Sequence, residues 1–436
     1  MRFNKYVNWL KSDNNVVLFN LFNDEILFVN DEINSILQEN KSAVQNIKKI
    51  HPSLYEELFS KCFIVDENFD ETLFLVEKWN GQETDKEVFS ITIIPTLNCN
   101  MSCWYCYEQH DGRLTMSTEI LGRIKKLIKN KIRASKIKNL NISFFGGEPL
   151  LAYKKICLPL LQFAKLECEE NNVVMSVQFT SNGYLVSQQI IDDLKKINCP
   201  VSIQITIDGN KEKHDKIRYT KNGEPSFDTI ISNIKLLISQ GIHVNCRINY
   251  TKDNVYSVAD VIDEFSQLSK DYLKLLDFNL QRVWQDYKNQ DLKDEEEKIM
   301  SWFQKECLTI TNFSLTNSRH CYADYENNVI VNYDGSLFKC TARDFNANVA
   351  EGMLTVDGTI QTNSRYENRM NLKRGGKVCF ECRIYPICHA NCSQYALENE
   401  KKIKNNICLL NYSEEDKNLK IIEQLNARIN FANSQL

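Results

Sequence analysis

Three cysteines near residue 100 are spaced so that their side chains could share one inorganic centre. They form the pattern Cys99-x-x-x-Cys103-x-x-Cys106. Three thiolates this close can hold three irons of a 4Fe–4S cube and leave the fourth iron open, as catalysis at the metal requires. The alternative is a partial zinc site or three buried thiols, but a structural zinc ion takes four ligands. His110 would complete such a set only by folding back across the loop.

Seven further cysteines lie toward the C-terminus. They are Cys321, Cys340, Cys379, Cys382, Cys388, Cys392 and Cys408. CxxC pairs suit a pair of zinc ribbons as well as iron–sulfur clusters. Residues 315–410 are poor in apolar side chains, and small loop-rich segments of that kind usually need a metal. The six remaining cysteines share no spacing, so packing is their default role; they are Cys62, Cys157, Cys168, Cys199, Cys246 and Cys307.

The composition excludes several classes of protein. A chain of 436 residues is long enough for two or three domains, and its hydrophobic fraction of 43% supports real cores. The 53 basic and 57 acidic side chains give a net charge of −4, so we expect neither nucleic acid nor a membrane as partner. The polar N-terminus predicts no signal peptide, and no window reaches the roughly eighteen apolar residues of a membrane span. We expect a cytoplasmic protein, in which clustered cysteines more often bind metal than form disulfides.

Strand-like and helix-like segments alternate regularly from Ser90 onward. The strand-like runs are residues 91–97, 140–145, 173–180, 201–207, 242–250 and 273–280. Amphipathic stretches such as 119–132 and 229–239 lie between them, and this rhythm predicts parallel β/α units. Six units are too few for the eight-fold barrel, so the sequence predicts an α/β fold with an open, partial (β/α)6 barrel over residues 89–314. A helix at 295–308 leads into a C-terminal domain at 315–436.

The N-terminal residues 1–88 predict a small β-then-α unit followed by a linker. Strands are expected at 16–22 and 26–29, helices from Asp31 and from Pro52, a closing strand at 63–65 and a polar linker from 66 to 87.

The cysteine triad, with Tyr105 before its last member, resembles the cysteine motif of the radical S-adenosylmethionine (SAM) superfamily. The second predicted strand ends at Gly146-Gly147-Glu148-Pro149, which resembles the GGEP motif of that family. The resemblance implies that these residues hold the methionine amino group of SAM. Elementary chemistry agrees, because glycines let a ligand approach the backbone and a carboxylate pairs with an ammonium group.

Later strand ends carry further matches to the family. Thr206-Ile207-Asp208-Gly209, followed by His214, Asp215 and Arg218, resembles the stretch after its fourth strand. By resemblance, Thr206 and Arg218 contact the ribose and the carboxylate of SAM. Ser181 and Asn182 match after the third strand, and Leu276 on the sixth is a candidate for adenine contact. A turn or a surface charge would explain each match alone, but together they follow the family order at the strand ends where β/α folds place their sites.

The C-terminal cysteines resemble the SPASM extension of peptide-modifying radical SAM enzymes. The resemblance implies two auxiliary 4Fe–4S clusters and therefore three in all. One cluster would be fully ligated by Cys379, Cys382, Cys388 and Cys408. The other would be held by Cys321, Cys340 and Cys392, with no obvious fourth protein ligand. Cys307 recurs with Ile299 and Phe303 at intervals of four, so we expect it to line the apolar face of a helix and not to bind this cluster. We therefore expect an open iron on the cluster, which would favour thioether chemistry.

The N-terminal unit resembles the PqqD-like recognition domain of natural-product peptide maturases. The match lies in residues 17–20, 26–30 and 54–65 and implies a winged-helix-like fold whose edge strand captures a leader peptide. The alternative is a subdomain that only packs.

Together these resemblances imply an enzyme that modifies a ribosomally synthesised precursor peptide after hydrogen-atom abstraction by the 5′-deoxyadenosyl radical. The expected product is a thioether or carbon–carbon cross-link, with epimerisation as an alternative, and an external donor such as flavodoxin or ferredoxin would supply electrons. The nearest rival is an anaerobic sulfatase-maturating enzyme, which forms formylglycine. That group carries an acidic residue and an extra cysteine where this chain has Thr341 and Leu315. A non-enzymatic electron-transfer or zinc scaffold would leave the cofactor motifs unexplained.

Overall fold

The computed structural model describes residues 1–12, 15–108, 114–135, 137–286, 292–305, 309–310 and 321–433. These residues divide into two compact units. The first, here the terminal unit, joins residues 1–84 to residues 321–325 and 367–433. The second, here the sheet unit, joins the described residues between 85 and 310 to residues 326–366. In this part of the chain, no helix has the length and hydropathy to cross a bilayer.

Residues 1–84 form a three-stranded antiparallel sheet with helices behind it. The elements are β1 (Arg2–Phe3), β2 (Val7–Ser12), β3 (Asn15–Asn20), β4 (Glu25–Val29), α1 (Asp31–Glu39), α2 (Gln45–Ile50), α3 (Pro52–Ser60), β5 (Ile64–Val65) and α4 (Glu71–Glu83). The sheet order is β2-β3-β4, and β1 pairs with β5. Leu18, Leu37, Ile47 and Leu58 are fully buried in the core between sheet and helices.

The prediction of a polar linker over residues 66–87 is wrong for its middle part. Glu71–Glu83 is a helix, and the side chain of Asp70 caps its first turn by accepting from the Leu73 amide. The apolar face is narrow, with Leu75 and Trp79 four residues apart and buried. The sequence did not predict this helix because its apolar stripe has only two residues and the neighbouring side chains are largely charged or polar.

The sheet unit contains the predicted run of alternating strands and helices. Its elements up to residue 310 are β6 (Val88–Ile93), α5 (Thr118–Arg133), β7 (Asn139–Phe144), α6 (Leu158–Asn171), β8 (Val174–Ser181), α7 (Gln188–Ile197), β9 (Val201–Ile207), α8 (Lys211–Ile217), α9 (Phe227–Ser239), β10 (His243–Tyr250), α10 (Val258–Asp263), α11 (Lys270–Leu273), β11 (Leu276–Arg282), α12 (Lys293–Lys305) and β12 (Thr309–Ile310). Strands β6 to β11 are parallel and lie side by side in chain order. The predicted α/β fold with six consecutive parallel strands is confirmed.

Four further strands extend this sheet beyond β6. They are β13 (Asn328–Val331), β14 (Ser336–Phe338), β15 (Gly352–Leu354) and β16 (Ile360–Thr362). Strand β13 lies parallel to β6, and the other three continue antiparallel. Within the described residues the result is an open eleven-stranded sheet with β12 and β16 at its edges. Residues 328–362, predicted as part of the C-terminal domain, therefore continue the main sheet.

The parallel strands bury one face and leave the other partly open. In β6, β7 and β10 buried and half-buried residues alternate strictly. The buried set, including Ile91, Ile142 and Phe179, packs under the helices in one large core. Strands of parallel sheets are usually covered on both faces and read as continuous apolar runs. The polar alternate positions here show that the second face borders a cavity rather than a core.

The remaining elements are short helices of the terminal unit and one long C-terminal helix. They are α13 (Ser364–Leu372), α14 (Lys377–Phe380), α15 (Tyr385–Cys388), α16 (Ser393–Glu398), α17 (Glu400–Lys404) and α18 (Glu414–Asn433).

The N-terminal sheet and the cysteine-rich segment share one apolar core. Tyr6, Phe19 and Trp79 pack in the same cluster as Tyr385 and Ile421, with Cys379, Cys382 and Cys388 packed against it. Polar contacts reinforce this core, because the hydroxyl of Tyr6 lies 2.7 Å from that of Thr72. The Thr72 hydroxyl donates to the Phe380 carbonyl at 3.1 Å. The two ends of the chain therefore fold as one body.

Candidate functional site

Cys99, Cys103 and Cys106 line one cavity at the carboxyl ends of the parallel strands. Backbone hydrogen bonds fix their loop on two sides, from the Leu97 amide to the Leu114 carbonyl and from the Ser102 amide to the Tyr219 carbonyl. Burial raises the pKa of the Cys99 thiol to about 12 and also raises the pKa values of Cys103 and Cys106. Iron binds the thiolate form, so loading this site would release protons.

Gly146 and Gly147 allow the loop after β7 to lie directly against the cysteine loop. A Cβ atom on Gly147 would stand 2.4 Å from the carbonyl oxygens of Leu97 and Asn98. Gly146 has a φ of +115°, and a Cβ there would meet the Thr96 carbonyl oxygen at 2.5 Å. The two glycines are therefore required by this close packing, and both also line the cavity.

Glu148 lies behind the cavity wall, where it ties two loops together. Its carboxylate is fully buried and accepts from the Ser181 hydroxyl at 2.9 Å and from the Asn182 amide at 2.7 Å. Burial raises its pKa, while these hydrogen bonds oppose the shift. Pro149 follows it at the start of a short buried turn. In this structure Glu148 positions the loop after β8.

Ser181 is the last residue of β8 and Asn182 follows it, and both line the cavity beside the cysteines. The Asn182 side-chain amide donates to the Asn100 side-chain oxygen at 2.8 Å and lies 3.8 Å from the Cys99 sulfur. This places an amide donor next to a predicted iron ligand. Hydrogen bonds to ligand sulfur are one means by which proteins tune iron–sulfur centres.

The Tyr105 hydroxyl is the centre of a buried hydrogen-bond network. It donates to both Asp208 carboxylate oxygens, at 2.8 and 2.9 Å. It accepts from Arg218 Nη1 at 2.8 Å and from the Asn249 amide at 3.1 Å. One donor and two acceptor sites are thereby filled, which is the full capacity of a phenol. Tyr105 therefore joins the cysteine loop to the ends of β9 and β10.

Burial and the neighbouring cation act in opposite directions on Asp208. Burial raises its pKa to about 6, and Arg218, whose Nη1 lies 3.5 Å away, is the main opposing influence. Burial likewise raises the pKa of Tyr105, so the phenol stays protonated.

His214 and Asp215 support the site from outside the cavity. His214 Nδ1 accepts from the Asp208 amide, and its Nε2 lies 3.0 Å from the Ser226 hydroxyl. That hydroxyl donates to the Arg218 carbonyl at 2.6 Å. Burial lowers the pKa of His214 well below its usual range, so the ring is neutral. Asp215 caps helix α9 by accepting from the amides of residues 226 and 227.

Arg218 and Thr206 both line the cavity. The Nε atom of Arg218 is buried and has no hydrogen-bond partner among the described residues. Nη1 is already committed to Tyr105, so an unused guanidinium donor remains at the cavity wall. A cofactor carboxylate would satisfy it, and the donors present therefore fit the group that the resemblance assigns to Arg218.

Leu276 is not placed at this site. It begins β11, pairs with Val244 at the amino end of the sheet and is fully buried in the core. The cavity lies at the opposite, carboxyl ends of the strands, so the expected adenine contact is not carried further.

Several cavity-lining side chains were missed by the sequence analysis. They are Tyr107, Glu108, Gln204, Arg247 and Asn249. The last three occupy alternate positions of β9 and β10, on the face that borders the cavity. Polar residues at alternate positions of a parallel strand were the signal that could have identified them.

Four of the C-terminal cysteines influence one another in the terminal unit. Burial raises the pKa of Cys379 and raises that of Cys388 to about 12, and Cys382 and Cys408 add to both shifts. Among the described residues no three His, Cys, Asp or Glu side chains converge on a point that would hold a single metal ion. The thiolates of a 4Fe–4S cube bind different irons, so they need not converge on one point.

The other predicted set of ligands is divided between the two units. Cys321 and Cys392 belong to the terminal unit, where each precedes a short helical turn. Cys340 follows β14 in the sheet unit, and the next residue, Thr341, accepts a hydrogen bond from the Tyr107 hydroxyl at 2.7 Å. His110, Cys307 and Leu315 lie outside the described residues.

Residues 93–265 match the model of the radical SAM superfamily. This stretch begins at the end of β6 and contains the cysteine triad, the glycine loop, Thr206 and Arg218. These residues of the chain therefore form a radical SAM domain.

Named relatives include a cyclopropyl synthase and sulfatase-maturating enzymes. The chain is 25% identical to the radical SAM cyclopropyl synthase TigE of Paramaledivibacter caminithermalis over 89% of its length and 88% of that protein. It is 31% identical to a cysteine-type anaerobic sulfatase-maturating enzyme of Clostridium novyi, over 34% of this chain and 40% of that one. Streptococcus suis SuiB bound to its precursor peptide SuiA shares the fold, with a TM-score of 0.53 and 15% identity over 91% of this chain and 97% of SuiB.

Proposed function

We propose that this enzyme uses SAM and three 4Fe–4S clusters to modify a ribosomally synthesised precursor peptide. The observation that carries the proposal is the joint placement of Cys99, Cys103 and Cys106 with Gly146, Gly147, Thr206 and Arg218 around one cavity. The similarity over most of both chains to TigE, a cyclopropyl synthase, favours a new carbon–carbon bond over a thioether.

When bound, the first cluster and SAM supply reductive cleavage and hydrogen-atom abstraction. The chain holds the iron with its three thiolates and holds the cofactor with Thr206 and Arg218. Tyr105 keeps the cysteine loop, β9 and β10 at fixed separations through its hydroxyl. Such fixed positioning is what a radical reaction needs, because the substrate C–H bond must lie beside the reacting carbon and away from water.

The C-terminal cysteines are proposed to form a SPASM domain with two auxiliary clusters. Cys379, Cys382, Cys388 and Cys408 would ligate one cluster fully. Cys321, Cys340 and Cys392 would hold the other, with one iron left for a further ligand. An external flavodoxin or ferredoxin would supply the electrons.

Residues 1–66 are proposed to bind the leader of the precursor peptide. Strand β4 is one of the two edge strands of the β2-β3-β4 sheet, the other being β2, and it pairs with β3 in the described structure. Its Phe28 side chain is 62% exposed. An extended peptide can add to such an edge through main-chain hydrogen bonds, with side-chain pockets giving specificity. Replacing Phe28 with Asp should weaken leader binding, whereas Phe59→Asp, at a similarly exposed position on α3, should not.

Formylglycine formation is the second candidate, favoured by the similarity to the sulfatase-maturating enzyme. Thr341, where that group carries an acidic residue, speaks against it. Co-expression with short open reading frames beside the gene, followed by mass spectrometry, separates the two. A precursor that loses hydrogen without gaining an aldehyde supports the proposal, and an aldehyde at a Ser or Cys contradicts it.

Metal analysis and cofactor cleavage test the enzyme itself. Anaerobically reconstituted protein should hold about twelve irons, from three four-iron cubes, and should form 5′-deoxyadenosine. Replacing Cys99, Cys103 and Cys106 with Ala should leave about eight irons and abolish cleavage. The matched control is Cys168→Ala with Cys199→Ala, which should change neither. Zinc without iron after anaerobic preparation would contradict the proposal.

A further inference from the structure

Arg247 brings a second guanidinium to the cavity, and it forms no ion pair with a carboxylate among the described residues, although the charge of Asp208 acts on it. It lies on β10 and lines the same cavity as the three cysteines. Its Nε donates to the side-chain oxygen of Asn249 at 2.9 Å, which is its one hydrogen bond within the described part of the chain. The two terminal nitrogens of the guanidinium are therefore available to a ligand.

Arg218 has an ion pair in the cavity that Arg247 does not have. Arg218 is paired with Asp208 and bonded to the Tyr105 hydroxyl. Glu108 also lines the cavity, beside Cys106. Burial raises the pKa of Cys106, and the charge of Glu108 adds to this shift while the Glu108 amide opposes it. Burial lowers the pKa of Arg247, and the charge of Asp208 offsets this lowering only in part. A planar guanidinium fits a carboxylate through two parallel hydrogen bonds, which would supply the missing counter-charge. Arg247 is therefore poised for an anionic ligand.

The register of the sheet indicates which molecule supplies this anion. Arg247 is paired with Thr206 on β9 and with Asn279 on β11. Thr206 is the residue assigned to the cofactor ribose, whose 5′ carbon meets the substrate. The glycine loop, assigned to the methionine end, follows β7, and three strand spacings of ~4.8 Å separate β7 from β10. Arg247 thus lies beside the residue assigned to the ribose and three strands from the glycine loop.

We propose that Arg247 binds a carboxylate of the substrate peptide, from an acidic side chain or from the C-terminus, next to the residue that loses its hydrogen. This inference rests on the proposed function and adds a specificity residue to it. Arg247 would select substrates with an acidic group near the modified position and would hold that position at the ribose.

A synthetic peptide library tests the proposal on the full-length, iron-loaded protein with SAM bound. Peptides of random sequence would be prepared with free and with amidated C-termini, and bound members would be identified by mass spectrometry. The wild type should enrich Asp and Glu, or free over amidated C-termini, by about tenfold or more. Arg247→Gln should abolish this preference. Arg247→Lys should retain part of it, because charge remains but the two-pronged geometry is lost.

Controls keep the outcomes distinct. Arg133→Gln, on the outer helix α5, should select peptides as the wild type does. Iron content and SAM affinity show that each variant is folded. Equal acid preference in Arg247→Gln overturns the proposal, and so does bound peptide without any acid preference in the wild type, which leaves the proposed function standing. Recovery of no peptide at all overturns both.

A cofactor experiment excludes the remaining source of the carboxylate. Equilibrium binding of SAM and of decarboxylated SAM would be compared in the wild type and in Arg247→Gln. Both affinities should stay within about twofold of the wild type. A loss of affinity for SAM alone would assign Arg247 to the carboxylate of the cofactor and overturn the substrate proposal.

Discussion

The hydroxyl of Tyr105 lies 2.8 and 2.9 Å from the two carboxylate oxygens of Asp208. Tyr105 stands between two predicted iron ligands, Cys103 and Cys106, and Asp208 follows the end of β9. The geometry of the iron-binding loop is thus tied to the strand that carries Thr206. Four predictions follow from this and related contacts.

Replacing Tyr105 with Phe should leave iron binding intact and weaken SAM binding by about tenfold, since hydrogen bonds to two charged groups are lost. The low-temperature electron paramagnetic resonance spectrum of the reduced first cluster should respond to SAM only at higher SAM concentration. Tyr219→Phe removes a neighbouring, partly exposed hydroxyl and is the matched control. A Tyr105→Phe protein with unchanged SAM affinity would show that the network does not position the cofactor.

Asp208 should make SAM binding depend on pH near 6. Its pKa in the folded protein is about 6, above the ordinary carboxyl value of 3.8. Folding therefore favours the protonated form, and the contribution of Asp208 to the free energy of unfolding decreases as pH rises from about 4 to about 6. SAM binding should show the opposite trend, weakening as pH falls through about 6, because neutral Asp208 no longer balances Arg218. The Asp208→Asn protein should bind SAM weakly, and its affinity should change little with pH. Equilibrium dialysis between pH 5.5 and 8 would measure both affinities. The same pH profile in both proteins would exclude Asp208 as the titrating group.

Replacing Gly147 with Ala should prevent the first cluster from binding and leave the two proposed auxiliary clusters in place. The added Cβ would stand 2.4 Å from two carbonyl oxygens of the cysteine loop. Because backbone cannot yield easily there, we expect about eight irons instead of twelve. Gly122→Ala is the control: Gly122 is in α5 with nothing within 4 Å of a Cβ, and the change should stabilise the helix by up to about 1 kcal/mol. Retention of all irons by Gly147→Ala would contradict the packing argument.

Loss of the cluster proposed at Cys379, Cys382, Cys388 and Cys408 should loosen the N-terminal sheet. Cys379, Cys382 and Cys388 pack against the core that contains Phe19 of β3. Replacing Cys382 and Cys388 with Ala should therefore speed amide hydrogen exchange in residues 15–20, as mass spectrometry would show. The protein lacking Cys99, Cys103 and Cys106 is the control, because it loses a cluster in the other unit. Equal protection in both variants would mean that the sheet is stable without the nearby metal.

Much of the sheet unit could be predicted from the sequence, since each parallel strand is marked by an apolar run. Strands β7 and β9 lie within a residue or two of the predicted ranges. Helix α4 could not be found in this way, because its buried stripe consists of Leu75 and Trp79 among polar residues. The extension β13–β16 was missed because each of these strands has only three or four residues. Such short strands depend on neighbours distant in sequence, for example Asn328 beside Ser90.

The residues that line the cavity likewise include some that the sequence identifies and some that it does not. Cys99, Gly147 and Arg218 were identified because they stand in recognisable motifs. Arg247 and Asn249 belong to no such motif and required the register of β10 against β9 to be placed. Leu276 was proposed as an adenine contact only because of the family resemblance. The direction of β11 argues against that contact, because Leu276 begins the strand and the cavity lies at the other end.

The shared core of the terminal unit has a consequence for chimeric enzymes. Exchanging residues 1–84 alone between related chains would leave Tyr385 and Ile421 facing foreign side chains. It would also remove the buried Glu83, which lies 2.8 Å from Lys373. The transplantable module is discontinuous, consisting among the described residues of 1–84, 321–325 and 367–433. A graft of the terminal unit should therefore carry all three of these segments from the donor chain and keep the host sheet unit.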